Sequence, residues 1–358
     1  KETDTVTVGD VSTSVNRVGL DATTTPVDNT QEDLYTTGTD VLEGNIVLEA
    51  GDTMTVTEGD NDIGTDRSGG ADAADLLGIS ASGSGNIFLN ALTGNIDIQS
   101  GIASVSGHIS LDTDIGDILQ NDVTADIITS GTIDLLSASD ITMVDGAVTR
   151  STGSDVRLET TTGDITLGQV LADGAGISLI SGGDILDGGD TVGTDAYGTV
   201  MGSSEDLQGT DLLIRSAGAT GKDSDTADPD HIEIATTNLS AESGSYGMFL
   251  KETDTVTVGD VSTSVNRVDT DGTILDVLNG SQSDLRTTDT SDGSIVLQTQ
   301  AGDITLNDGT TLENGGSIFA DGSGNILVQA MGDGTSIIAN ADIESGSGHI
   351  TVLSDTDV

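Results

Sequence analysis

The sequence predicts an all-β fold, a parallel β-solenoid (β-helix) with coils of about 20–23 residues. Three observations predict it. A five-residue strand motif recurs along the chain, its isoleucines fall at regular intervals, and the composition suits only a narrow aliphatic core. The chain has 358 residues, 49 Gly, no Cys, no Trp and 2% aromatics. Wide cores are usually filled by bulky aromatics, which are nearly missing here. Leu, Ile, Val and Phe still make up about a quarter of the residues, above the range where disorder becomes the default. Their strong patterning is something a solvated coil does not require.

The motif reads Gly, then Asn, Asp, Ser, Thr or His, then Ile, any residue, and an aliphatic. Copies include Gly44-Asn45-Ile46-Val47-Leu48, Gly85-Asn86-Ile87-Phe88-Leu89 and Gly94-Asn95-Ile96-Asp97-Ile98. Gly163-Asp164-Ile165-Thr166-Leu167, Gly302-Asp303-Ile304-Thr305-Leu306 and Gly348-His349-Ile350-Thr351-Val352 continue it. Strand side chains alternate, so Ile and the aliphatic two residues on share the inner face. The Gly and Asn or Asp ahead of them read as turn residues that tolerate positive φ.

The spacing sets the coil. Isoleucines stand at 87, 96, 109 and 118, later at 165, 177 and 185, and again at 295, 304, 318 and 326. Short steps alternate with longer ones, predicting two short strands and one longer bend per unit. Each unit leaves its apolar face open, so units must stack. Dividing the length by about 22 predicts about 16 coils, a body roughly 75 Å long at the spacing of adjacent strands. The pattern thins at 191–250, which reads as coils with longer bends.

A long repeat is superposed on the short one. Residues 1–18 read KETDTVTVGDVSTSVNRV, and residues 251–268 are identical. Likeness continues through Gly83-Ser84-Gly85-Asn86-Ile87 against Gly322-Ser323-Gly324-Asn325-Ile326, and Ser106-Gly107-His108-Ile109 against Ser347-Gly348-His349-Ile350. The expected organisation is a first unit at 1–250 and a partial second copy at 251–358, continuous with it. The expectation is also that the chain is an excerpt of a much longer repetitive polypeptide.

With 61 acidic and 10 basic side chains the formal net charge is -51. Nucleic acid is excluded as a partner, because binding phosphate needs a positive footprint. Without Cys there is no disulfide framework, thiolate nucleophile or Cys-type metal site. No apolar run approaches the roughly 20 residues of a membrane helix, so membrane insertion is not expected. Enzymatic activity is not expected either: basic and aromatic partners are scarce, and no Ser sits in a recognisable His arrangement. Arg17 and Arg267 occupy one position in the two copies, which suits a structural role.

Calcium is the one cofactor to weigh, since Asp outnumbers Glu 49 to 12 and short carboxylates suit tight oxygen-ligand loops. The candidates are Asp112, Asp114 and Asp117, and Asp269 and Asp271, with further clusters at Asp60-Asn61-Asp62 and Asp223-Ser224-Asp225. None completes an EF-hand or a β-roll nonapeptide, and Asp as turn residue and solubilising charge is the competing reading. Phe88 and Phe319 take outward positions in a chain with three Phe, which makes them candidates for lateral contact between rods.

The Gly-Asn-Ile and Gly-Asp-Ile strands, the turn Ser82-Gly83-Ser84-Gly85-Asn86 and the segment Thr257-Val258-Gly259-Asp260-Val261 resemble giant repetitive bacterial surface adhesins of the filamentous-haemagglutinin type. That resemblance implies a right-handed parallel β-helix, secretion to the bacterial cell surface, and a stalk or adhesive filament. The partners it implies are further copies of the repeat, laterally associated rods, and glycans or a host or neighbouring cell surface.

Overall fold

The structure is a computed structural model that describes residues 1–31, 33–36, 44–57, 77–222, 231–244, 246–288, 292–310 and 315–356. It is all-β, and among these residues there is no helix. The strands stack in parallel as a β-solenoid, as the isoleucine spacing predicts. Each regular coil has three strands, so the cross-section has three faces. Face 1 runs through Leu77–Ala81, Gly101–Ser104, Ile127–Thr129, Val148–Ser151 and Gln169–Ala172. Face 2 runs through Ile46–Ala50, Ile87–Ala91, Ile109–Thr113, Ile133–Ser137, Val156–Thr160 and Gly176–Ser181. Face 3 runs through Val6–Val8, Met54–Val56, Ile96–Ile98, Ile118–Gln120, Ile141–Met143, Ile165–Leu167 and Ile185–Asp187.

Register is set by the inward aliphatics. On face 2, Ile87, Ile109, Ile133, Val156 and Ile177 lie in line, as do Leu89, Leu111, Leu135, Leu158 and Leu179. All are buried in one continuous core. Burying each such side chain contributes about 1.5–3 kcal/mol. Polar side chains that enter the core are bonded within and between coils: Gln120 donates to the nearby Ala125 carbonyl at 2.7 Å and accepts from the Thr149 hydroxyl of the next coil at 2.9 Å.

The sequence reading of two strands per coil is corrected to three, because the longer bend contains the short face 1 strand. The coil count also falls. Face 3 continues from Ile185 through bridges to Thr220 and Met248, then along Ser294–Thr299, Ile326–Ala330 and Ile350–Leu353. Its rungs lie farther apart in sequence than 22 residues wherever a hairpin or long bend intervenes. In the 191–250 region the solenoid does continue. Leu207–Ser216 and Ile232–Ser243 are long strands that span faces 1 and 2 together. The bend before them folds over face 1, where Met201 packs on Val148 and Leu171.

The motif glycines are not there for positive φ. A Cβ on Gly107 would lie 2.0 Å from the Gly85 carbonyl oxygen, and one on Gly116 2.2 Å from that of Gly94. These glycines are stacked on one another and leave no room for a Cβ, although Ser139 and Ser154 take the glycine place in the rungs after Gly116 and Gly131. The residue after each glycine serves the same corner. The Asn86 Oδ1 accepts the His108 N–H at 2.9 Å, and His108 Nδ1 accepts the Thr132 N–H at 3.0 Å. At the next corner Asp117, Asp140 and Asp164 each accept the backbone N–H of the following rung, at 3.1, 2.8 and 2.7 Å. These side chains form ladders that tie coil to coil.

Two antiparallel hairpins leave the solenoid at equivalent points of the two units. The first joins Val11–Val18 to Thr24–Gln31, and the second joins Val261–Val268 to Ile274–Gln282.

The second unit is displaced by one face. Leu34–Tyr35 stacks on face 1, whereas its counterpart Leu285–Thr287 stacks on residues 241–243, on face 2. Ile46–Ala50 belongs to face 2, whereas Ser294–Thr299 stacks on Gly247–Glu252, which runs from face 3 at Met248 into face 1 at Leu250–Glu252. A repeat unit therefore contains a whole number of coils plus about one third.

Candidate functional site

Two arrangements stand out. One is the seat of the second hairpin, which folds back along the outer side of face 2 over the first unit. Its contacts run rung by rung. Gln282 donates to the Ile214 carbonyl at 2.9 Å, and Asn279 to Ser178 at 2.8 Å. The N–H groups of Ser264, Asn266 and Val268 donate to Asp155, Thr132 and Ser110 at 2.9, 3.0 and 2.8 Å. At the tip, the Gly272 carbonyl accepts from both Asn45 and Asn86 at 3.1 Å. The valines that alternate with these amides are buried: Val261, Val265 and Val268 are 2%, 1% and 0% exposed.

An ion pair pins the middle of this seat. The fully buried Asp134 accepts from Arg157 at 3.1 Å and from Arg267 Nε at 2.6 Å, and Arg157 also pairs with Glu159. Farther along, Arg215 Nε donates to Gln282 at 2.6 Å. Breaking a buried pair by removing one partner is costly because it strands the other charge.

The other arrangement is a carboxylate cluster beside the face 3 strand Ile185–Asp187. Oxygens of Asp187, Asp190 and Glu233 lie within 4.8 Å of one another. Asp206 joins them from the start of the long strands. It is wholly buried, its Oδ2 accepts the Glu233 N–H at 3.0 Å, and its Oδ1 has no partner. Burial, with the charges of Asp187, Glu233 and Asp190, pushes the Asp206 carboxyl up to about 9. Burial likewise raises Glu233 to about 7, against the pull of Lys251, whose Nζ lies 3.2 Å from Glu233 Oε1. Hard oxygen ligands of this kind suit a divalent cation such as calcium.

The candidates from sequence lie elsewhere. Asp112, on Ile109–Thr113, is raised by burial and held back by the charge of Arg267 beside the hairpin seat. Asp117 belongs to a corner ladder, and Asp114 is exposed on the bend between them. Asp269 and Asp271 sit at the hairpin tip, where Asp271 accepts the Thr273 N–H and hydroxyl at 2.9 and 2.5 Å. Asp60-Asn61-Asp62 and Asp223-Ser224-Asp225 lie outside the described residues. Phe88 points outward yet is 4% exposed, between Asn86 and Ser110, both of which bond the hairpin. Phe319 is 37% exposed. The grouping of Asp187 and Asp190 with Asp206 and Glu233 was hidden in sequence because the last two come from other segments of an Asp-rich chain.

No protein-family model, curated protein or solved structure matches this chain.

Proposed function

We propose that the chain is a non-enzymatic structural segment of a much larger secreted bacterial surface protein, built of tandem units that form a stalk or extracellular filament. The observation that carries this reading is the join between units. Inner columns pass from the first unit into the second without a cap, and the second unit's hairpin straps the first. Solenoids gain length by adding repeats, each stabilised by its neighbours. The large negative charge keeps neighbouring rods apart through mutual repulsion, and screening in a saline exterior relieves the strain within each rod. Imaging of the native material tests the reading. Long uniform fibres are expected, whereas discrete particles that degrade polysaccharide, or a mature mass near 36.0 kDa, would defeat it.

A second reading, cation binding along the rod, is favoured by the unpartnered Asp206 Oδ1 beside three converging carboxylates. Calcium is then expected to raise the melting temperature at low ionic strength, and chelator to reverse this. Asp206→Asn should remove most of the shift. An unchanged melt on adding calcium excludes the site.

A further inference from the structure

The identical segments 1–18 and 251–268 occur here in two environments. In the second hairpin, Val261, Val265 and Val268 are buried against face 2 at 2%, 1% and 0% exposure. In the first hairpin their counterparts Val11, Val15 and Val18 are 63%, 59% and 65% exposed. One sequence thus presents the same apolar row, once seated and once bare. Strand pairing within the hairpins agrees: Val15 opposes Val27 as Val265 opposes Val277. Arg17 stands where Arg267 reaches Asp134, and the return strand keeps Asn29 and Gln31 in the places of Asn279 and Gln282.

We propose that the first hairpin is a docking strap whose seat is the outer face of another unit of this repeat placed ahead of it. The seat would be formed by that unit's counterparts of Asn45, Asn86, Ser110, Thr132, Asp134 and Asp155. This rests on the reading that units recur in tandem. The displacement by one face supports the geometry. The first hairpin leaves between faces 3 and 1, whereas the strands flanking the second, Val256–Val258 and Leu285–Thr287, both stack on the face 2 part of Ile232–Ser243. A unit placed ahead would carry its face 2 strands on face 1, beneath the first hairpin. A separate copy of this chain offers no complete vacant equivalent: its own second hairpin covers that seat, and residues 251–358 repeat the seat only as far as Ser110, with Asn325 and Thr351 in the places of Asn86 and Ser110.

Because the chain has no Cys, a single introduced thiol reports the docking. Val15→Cys is labelled with a maleimide in the 358-residue chain, and in a longer chain with a further copy of residues 1–250 ahead of Lys1. That junction, Leu250 followed by Lys1, repeats the natural Leu250-Lys251 junction. Cys is a small hydrophobe that the seat tolerates. Labelling is expected to slow by on the order of 100-fold in the longer chain, as access then requires local opening. It should approach the rate of Val265→Cys in the same chain. Adding Arg17→Glu should restore fast labelling in the longer chain while leaving the melting of the shorter one unchanged. Equal labelling of Val15→Cys in both chains, with Val265→Cys still protected, overturns the proposal. Slow labelling alongside native material that forms no fibres would keep the strap and remove the filament.

Discussion

Replacing Gly107 by Ala tests the account of the stacked corners. The new Cβ would lie 2.0 Å from the Gly85 oxygen, 2.4 Å from its carbonyl carbon and 2.9 Å from the Asn86 nitrogen. Ordinary contact begins near 3.4 Å, so the two rungs must part by roughly 1 Å, a gap that forfeits a quarter to half of each dispersion contact. Three bonds cross that corner: the Ile87 N–H to the His108 carbonyl at 2.8 Å, the His108 N–H to Asn86 at 2.9 Å, and Ser104 to the Gly85 carbonyl at 2.8 Å. At about 1 kcal/mol net for each bond, the expected loss is about 3 kcal/mol. Gly153 is the control, because a Cβ there meets nothing within 4 Å. Gly153→Ala should be neutral or stabilising by about 0.4–1 kcal/mol through the unfolded chain. Urea unfolding followed by far-ultraviolet circular dichroism compares the two, with amide exchange of Ile87–Ala91 as the local probe. If both variants unfold at the same midpoint, the stacked corner is not what selects glycine.

Asp134→Ala should cost about 3–5 kcal/mol in urea unfolding, because Arg157 and Arg267 lose the carboxylate between them; a loss below about 1 kcal/mol would mean the pair is solvated. Stability should fall as the medium becomes alkaline. Burial raises Glu233 and Glu252 to about 7, Asp126 to about 8 and Asp206 to about 9. The folded state therefore holds protons that the unfolded chain has released, and the stability these groups give is lost as pH rises through those values. His108 acts in the other direction, since burial lowers its pKa and its Nδ1 must stay bare to accept the Thr132 N–H. Its contribution is present above the ordinary histidine value of 6.5 and is lost as pH falls below it. Melting temperatures should thus peak in mildly acidic buffer, and Asp126→Asn should flatten the decline near pH 8. A flat profile between about pH 6 and pH 9 would contradict the raised carboxyls.

The inner columns were legible because branched aliphatics had to recur in register: Ile87, Ile109 and Ile133 mark face 2 in the sequence itself. Face 1 was not, because its rungs lack the Gly-Asn-Ile or Gly-Asp-Ile motif and include Thr149 and Val170 beside Ile102 and Ile127. The glycines are visible in the sequence but their cause is not, since close approach between rungs depends on partners some 22 residues away, as Gly107 on Gly85. The hairpin seat was beyond sequence altogether. Segments 1–18 and 251–268 have the same letters, yet the valines of one are exposed and those of the other are buried against the first unit.

The fractional coil in each unit has a mechanical consequence. In an array made by this rule, successive straps step around the axis by about 120°, and the fourth returns to the side of the first. Each strap lies along the direction of pull, so tension loads its rung of hydrogen bonds together in shear instead of peeling them one at a time. A cable wound in this way resists bending equally on every side and gives no single flank along which it would unzip.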